Sequence, residues 1–274
     1  MNKSCFLAPI HDAKFRYGYD FVKSYNDIFD DDNIFLVFSS EKEHEDFNKQ
    51  YDVKYKSIIY TDSYDPELKG IITTKKWFGL NHIYSNTDYV NIAVMDVDSL
   101  FVKKVDYNTM FDQFVNQQKI HANFIHDNPH IKSLQSQIVT NCVKFFKSED
   151  QKLLEILTHN FKTLFWFNDI PIYHKSYYQE FLHYIDYEKI KHEICWLDFD
   201  YIVYAYYLMV TNRLTMKLLD LDMALEHNLL DDYSKIPKDK FIKAFTGYNP
   251  MWIKTEIEEQ YMKNVFMKVH VDRK

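Results

Sequence analysis

Two aspartates one residue apart, Asp96 and Asp98, follow directly on the near-continuous apolar run of residues 89–95. Such a run suits a strand covered on both faces, as in a parallel sheet. Carboxylates at its end reach the carboxyl edge of that sheet, where open α/β folds bind ligands. Hard oxygen ligands there suit Mg²⁺ or Mn²⁺, and a divalent cation so held neutralises the charge that builds on a diphosphate leaving group. Val97, between the two, is expected to point back into the core, and residues 100–102 resume the apolar pattern. The plain alternative is a solvated acidic pair at the start of a loop.

Glu193, Asp198 and Asp200 surround Cys195 and Trp196 as a second acidic cluster. Asp198 or Asp200 could hold sugar hydroxyls while Trp196 packs on the ring, or supply a general base, and Asp200 equally suits the cap of the helix that follows. Asp169 stands between an aromatic block, residues 165–167, and Pro171, a position that also suits a turn or a cap. His11 and His174 are candidate pocket residues. Among 12 histidines there is no HExxH pair and no zinc-type Cys/His spacing. Nucleophile elbow, phosphate-binding glycine loop and dinucleotide fingerprint are absent from a chain with 4 glycines, which lowers hydrolase, kinase and NAD readings together.

The elements that must position these groups alternate. Strands are expected at residues 5–8, 33–38, 57–60 and 89–95, and helices at 15–28, 41–49 and 74–84, with loops at 10–13 and 62–70. That order predicts βαβ units in a mostly parallel sheet flanked by helices. Residues 107–118 and 139–146 read as helical or mixed, 126–130 as a polar loop, and 177–185 and 200–209 as helices. Residues 220–240 read as charged surface, 254–264 as a helix, and 265–271 as an edge strand or closing segment.

With 274 residues, one large α/β domain or two small ones can form. No repeat or linker marks a boundary. A net charge of −7 gives no global field for nucleic acid, so no nucleic-acid partner is expected. Three cysteines without paired spacing suit a reducing compartment. No signal peptide or membrane span is read, which predicts a cytoplasmic protein and leaves open a peripheral hold on the inner membrane face. The 22 tyrosines and 22 phenylalanines suit either an aromatic core or a site that stacks rings.

The stretch from Lys75 through the following helix to Asp88, then Tyr89 to Asp98 and Leu100 to Lys103, resembles the nucleotide-sugar-binding half of GT-A fold glycosyltransferases. The likeness is strongest to bacterial enzymes that build capsule or lipopolysaccharide, with Asp96-Val97-Asp98 as the DxD-type motif. It covers residues 4–105 in order of elements, with fragments near 165–174. It implies a GT-A-like single domain over 1–274, with a nucleotide-sugar half at 1–105 and a helical acceptor-side and C-terminal closing region at 106–274. It implies Mn²⁺ or Mg²⁺ on the aspartate motif, a nucleoside diphosphate sugar donor, and a glycan or lipid-linked saccharide acceptor. Ala8, Pro9, Ile10 and His11 then lie beside the base or ribose, Lys75 or Lys76 near the donor, Asp169 toward the acceptor as base, and His270 as a third metal ligand. Two other functions stand beside it: a metal-dependent nucleotidyltransferase or phosphohydrolase using the same acidic pair, and a non-catalytic carbohydrate-binding module whose aromatic residues supply stacking platforms without metal.

Overall fold

The structure, a computed structural model, describes residues 3–62, 70–117, 120–123, 129–158, 163–164, 170–213, 217–219 and 267–268. In chain order these hold β1 (Ser4–Pro9), a 3₁₀ turn (Asp12–Lys14), α1 (Phe15–Asn26), β2 (Ile34–Phe38), α2 (Glu41–Gln50), β3 (Lys56–Ile59), α3 (Ile71–Asn86), β4 (Asn91–Val94) and β5 (Leu100–Phe101). Then come α4 (Tyr107–Gln117), β6 (Ile120–Asn123), α5 (Pro129–Val143), α6 (Ser148–Leu157), β7 (Thr163–Leu164), β8 (Ile172–His174), α7 (Lys175–Tyr184), α8 (Tyr187–Ile190), α9 (Asp200–Val210), β9 (Lys217–Leu219) and β10 (Met267–Lys268).

The central sheet has the order β3-β2-β1-β4-β8; the first four strands are parallel and β8 runs antiparallel to β4. This is an α/β fold with a mixed, mostly parallel sheet flanked by helices, consistent with a GT-A-like architecture. Every residue of β1 and β2 is buried, as expected of strands covered on both faces. Their side chains alternate between two cores. Cys5, Leu7, Phe35 and Val37 pack with α3 and α9, while Phe6, Ala8, Leu36 and Phe38 pack with α1 and α2. Helix α1 buries Phe15, Gly18, Phe21, Val22 and Tyr25, one stripe at helical spacing.

Helix α3 has no such stripe. Thr73 to Trp77, Gly79, Leu80, Ile83 and Tyr84 are all buried, because the sheet lies on one side and α9 with the segment before it on the other. Two glycines permit that fit. A Cβ at Gly79 would stand 2.8 Å from Val37 Cγ2 on the sheet side. One at Gly70 would stand 2.1 Å from the Ile194 carbonyl oxygen.

Several expectations shift. Helix α3 begins at Ile71, directly after the expected loop and three residues before the expected start, and α5 begins at Pro129, where a polar loop was expected; proline suits a first helical turn, whose N–H groups lack partners. Of the strand expected at 89–95, Asn91–Val94 forms β4. Helix α6 and the small sheet β7-β6-β9 were not anticipated. From the closing segment, Met267–Lys268 pairs antiparallel with β5, Lys268 opposite Leu100. Residues 165–169, 220–240 and 254–264 lie outside the described residues. Among the described residues no helix is long and apolar enough to cross a membrane.

Gly70→Ala tests how tightly α3 is seated. Its backbone angle there, φ −90°, suits alanine, so the cost is steric and the opposing atom is a backbone carbonyl. Urea unfolding is expected to show a loss of about 2 kcal/mol or more, the upper part of the overpacking range.

Candidate functional site

In an open parallel sheet the ligand crevice opens at the carboxyl ends of two neighbouring strands whose connections leave in opposite directions. Here those strands are β1 and β4, since the chain passes from β1 outward to β2 and β3 and then returns to the other side of β1. The loop after β1 starts at Ile10 and the loop after β4 at Met95, whose N–H donates to the Leu7 carbonyl at 2.8 Å. Asp96 and Asp98 thus leave the sheet beside the Ala8–His11 segment.

Within the aspartate motif the burial alternates. Val97 is buried, the Asp96 side chain is 49% exposed and that of Asp98 is 13% exposed. Each carboxylate faces a lysine. Lys76 Nζ lies 3.1 Å from Asp96 Oδ1, and Lys14 Nζ, from the turn after β1, lies 3.9 Å from Asp98 Oδ2. Two hard carboxylates at one strand end match the chemistry of Mg²⁺ or Mn²⁺, and the lysine on Asp96 engages one of its two oxygens. Among the described residues no three His, Cys, Asp or Glu side chains form a metal-holding group. His270 and Asp169 lie outside the described residues.

Lys75 and Lys76 are both buried. Lys75 Nζ donates to the Ile10 carbonyl and lies 3.7 Å from Glu43 Oε2. Glu43 stands third in α2 after the N-cap Ser40, whose hydroxyl oxygen accepts from the Glu43 N–H. Its carboxylate accepts from the Asp12 N–H at 3.0 Å and from the Ser39 N–H. One carboxylate and one ammonium therefore tie the loop after β1 to the loop after β2. Burial pulls the Lys75 ammonium down to about 8, against the opposing pull of Glu43. His11 is likewise lowered, first by burial and then by the charge of Lys75.

Lys76 also lies 3.3 Å from Asp200 Oδ1, and Asp200 Oδ2 accepts from the Tyr173 hydroxyl at 2.9 Å. Burial pulls Lys76 down, but Asp200 and Asp96 outweigh it and hold the ammonium above the ordinary lysine range. Asp200 is the first residue of α9, whose N-cap is Phe199, so its carboxylate is not the cap. Asp198 is fully buried; its Oδ2 accepts from the Cys195 N–H at 2.7 Å and from Lys144 Nζ at 2.8 Å, and its carbonyl accepts from the Thr73 hydroxyl. Trp196, in the same turn, is 53% exposed.

His174 is set apart. It pairs with Asn91, at the opposite end of β4 from Asp96, and its Nδ1 accepts from the Ser176 N–H at the start of α7. A cavity of about 730 Å³ also lies away from the aspartates. Asn26, Phe29, Asp31 and Lys54 are in its wall, where the chain enters β2 and β3.

Sequence reasoning missed Lys14, Glu43, Lys144 and Tyr173 at or behind this site. Only Glu43 carried a signal, the Ser-x-x-Glu spacing of a helix start.

No family model matches the sequence, and no curated protein matches it. Among solved structures it is similar to core-mannan synthase A from Aspergillus fumigatus in a Mn/GDP form, at 10% identity over 81% of this chain and 73% of that one, with TM-score 0.40. The mannosyltransferase Ktr4p from S. cerevisiae in complex with GDP aligns at 12% identity over 76% and 66%, with TM-score 0.39. Mouse xyloside xylosyltransferase 1 in its apo form aligns at 10% identity over 85% and 92%, with TM-score 0.37. All three are loose likenesses.

The depressed Lys75 gives a pH signature. Below about pH 8 folded and unfolded chains both carry its proton, and the burial cost is present in full. Between there and about 10.4, the unfolded value, only the unfolded chain keeps it, so this residue's contribution to stability climbs as pH rises. The unfolding free energy of the wild type minus that of Lys75→Met, followed by urea melts from pH 7.5 to 10.5, should grow by roughly 3 kcal/mol. A flat difference would contradict the buried ammonium.

Proposed function

We propose that this protein transfers a sugar from a nucleoside diphosphate sugar to a hydroxyl of a glycan or lipid-linked acceptor, in the synthesis of a surface polysaccharide. The observation that carries this is the exit of Asp96 and Asp98 from β4 at the point where the strand order reverses, beside the loop after β1. That crevice is where an open parallel sheet receives a nucleotide.

On this reading Ala8, Pro9, Ile10 and His11 border the base or ribose, and Asp96 and Asp98, with Val97 as their buried spacer, ligate Mn²⁺ or Mg²⁺. When bound, the cation offsets the charge that develops on the departing diphosphate. The Lys75–Glu43 tie fixes the two loops around the nucleotide, so little ordering is left for binding. Lys14 and Lys76 add positive charge beside the diphosphate without leaving their carboxylates.

A base for the acceptor hydroxyl must reach its proton. Asp198 and Asp200 are buried and engaged by Lys144, Cys195, Lys76 and Tyr173, which favours Asp169 among the three candidates for the base. His270 completes the metal ligands. It follows Lys268 by two residues, and Lys268 pairs with Leu100, two residues after Asp98. Residues 1–105 form the donor half and 106–274 the acceptor and closing side of one domain. The site works in the cytoplasm, and an acceptor of the lipid-linked kind would be met at the inner face of the membrane.

The test is a product assay against a panel of sugar nucleotides with Mn²⁺, the anomeric configuration of the product read by NMR. Release of a nucleoside diphosphate in step with glycan growth is expected; release of pyrophosphate or inorganic phosphate would assign a nucleotidyltransferase or phosphohydrolase instead. Metal-dependent binding of nucleoside diphosphates should be lost in Asp96→Ala and in Asp98→Ala. Glycan binding without metal, unchanged in Asp96→Ala, would mark a non-catalytic module. His270→Ala should weaken Mn²⁺-supported donor binding about tenfold, or about 1.4 kcal/mol, with the donor-free melting temperature unchanged.

A further inference from the structure

Tyr173, Asp200, Lys76 and Asp96 form a chain of polar contacts that runs from the interior to the surface. The Tyr173 hydroxyl, on β8, donates to Asp200 Oδ2 at 2.9 Å, and Asp200 Oδ1 lies 3.3 Å from Lys76 Nζ, which lies 3.1 Å from Asp96 Oδ1. Side-chain exposure rises along it, from 4% at Asp200 to 10% at Lys76 and 49% at Asp96.

An ion pair between two exposed side chains holds neither partner, because both are free to leave it at little cost. This pair is different. Lys76 comes from the buried stretch Thr73–Trp77 of α3, and its ammonium is fixed from behind by a buried carboxylate that is itself fixed by a buried hydroxyl. The lysine cannot follow the aspartate into solvent without leaving Asp200 charged and uncompensated inside the protein. The direction of the contact at Asp96 Oδ1 is therefore set by the core, although Asp96 itself stands on a loop.

We propose that Lys76 is a positioning residue for Asp96: held by Asp200 and Tyr173, it keeps the Asp96 carboxylate in the orientation in which that carboxylate ligates the divalent cation. This rests on the metal role given to Asp96 above. It assigns Asp200, 124 residues from Lys76, to the metal site without contact with metal or sugar.

The informative variant is Lys76→Met/Asp200→Asn. It removes both buried charges together, so no lone charge remains inside and the net charge around Asp96 is the same as in the wild type. Because Lys76 stands between Asp96 and Asp200, removing both charges makes the site if anything more attractive to a cation, so a loss of affinity reports orientation and not electrostatic attraction. Binding of Mn²⁺ to the full chain, without donor, is read from the electron paramagnetic resonance signal of the free ion, with Asp96→Asn measured alongside. The expected result is Mn²⁺ affinity at least about tenfold weaker in the double variant, with a melting temperature within a few degrees of the wild type. Wild-type affinity in the double variant, with Asp96→Asn weakened, would overturn the positioning role and leave the metal role of Asp96 standing. Wild-type affinity in Asp96→Asn would overturn both. If the double variant does not fold, Lys76→Gln/Asp200→Asn retains polar groups at both positions and is read the same way, with a loss of at least about threefold expected and no loss overturning the proposal.

Discussion

Helix α3 brings two consecutive lysines into the interior, and a buried ammonium is tolerated only where it is paired and hydrogen-bonded. That constraint organises the carboxyl edge of the sheet. Consecutive residues on a helix point about 100° apart, so the two ammonium groups reach in different directions and recruit different partners. Lys75 takes the Ile10 carbonyl and Glu43, and with them the loops after β1 and β2. Lys76 takes Asp96 after β4 and Asp200 at the start of α9. Four segments are thereby referred to one helix.

The helix can serve as that reference because it is itself immobilised. The sheet contacts it closely at Gly79, and the segment before α9 contacts it at Gly70. The Thr73 hydroxyl bonds the Asp198 carbonyl, and the Trp77 carbonyl accepts from the Tyr178 hydroxyl at 2.7 Å. Asp198 then fixes the Cys195–Asp198 turn from within, through the Cys195 N–H and Lys144. The acidic residues near the crevice thus divide by depth. Asp198 and Asp200 lie inside, while Asp96 reaches solvent.

Surface pairs elsewhere show the contrast. Lys3 with Asp88 and Lys23 with Asp27 join side chains that are largely exposed, and pairs of that kind contribute little. The Lys75–Glu43 and Lys76–Asp200 pairs on α3 are shielded from water and salt, so their geometry is retained under conditions that would dissolve the others.

The sequence by itself determined the local elements whose cause is local. The apolar runs of β1, β2 and β4 have one solution, a strand covered on both faces, and the Ser-x-x-Glu spacing and apolar stripe define α2 and α1. The aspartate motif was legible for the same reason, because its place at the end of β4 is a fact of adjacent residues. Tertiary structure alone decided which partners the lysines and the second acidic cluster meet. Lys75 and Lys76 read as two charges in the first turn of a helix, and nothing nearby in the chain says that α9 will cover them. Asp200 read as a cap or a base because its own neighbours favour either; its partner is 124 residues away. Burial and charge pairing depend on which elements meet, and here the strand order, with β8 beside β4 and α9 over α3, makes that choice.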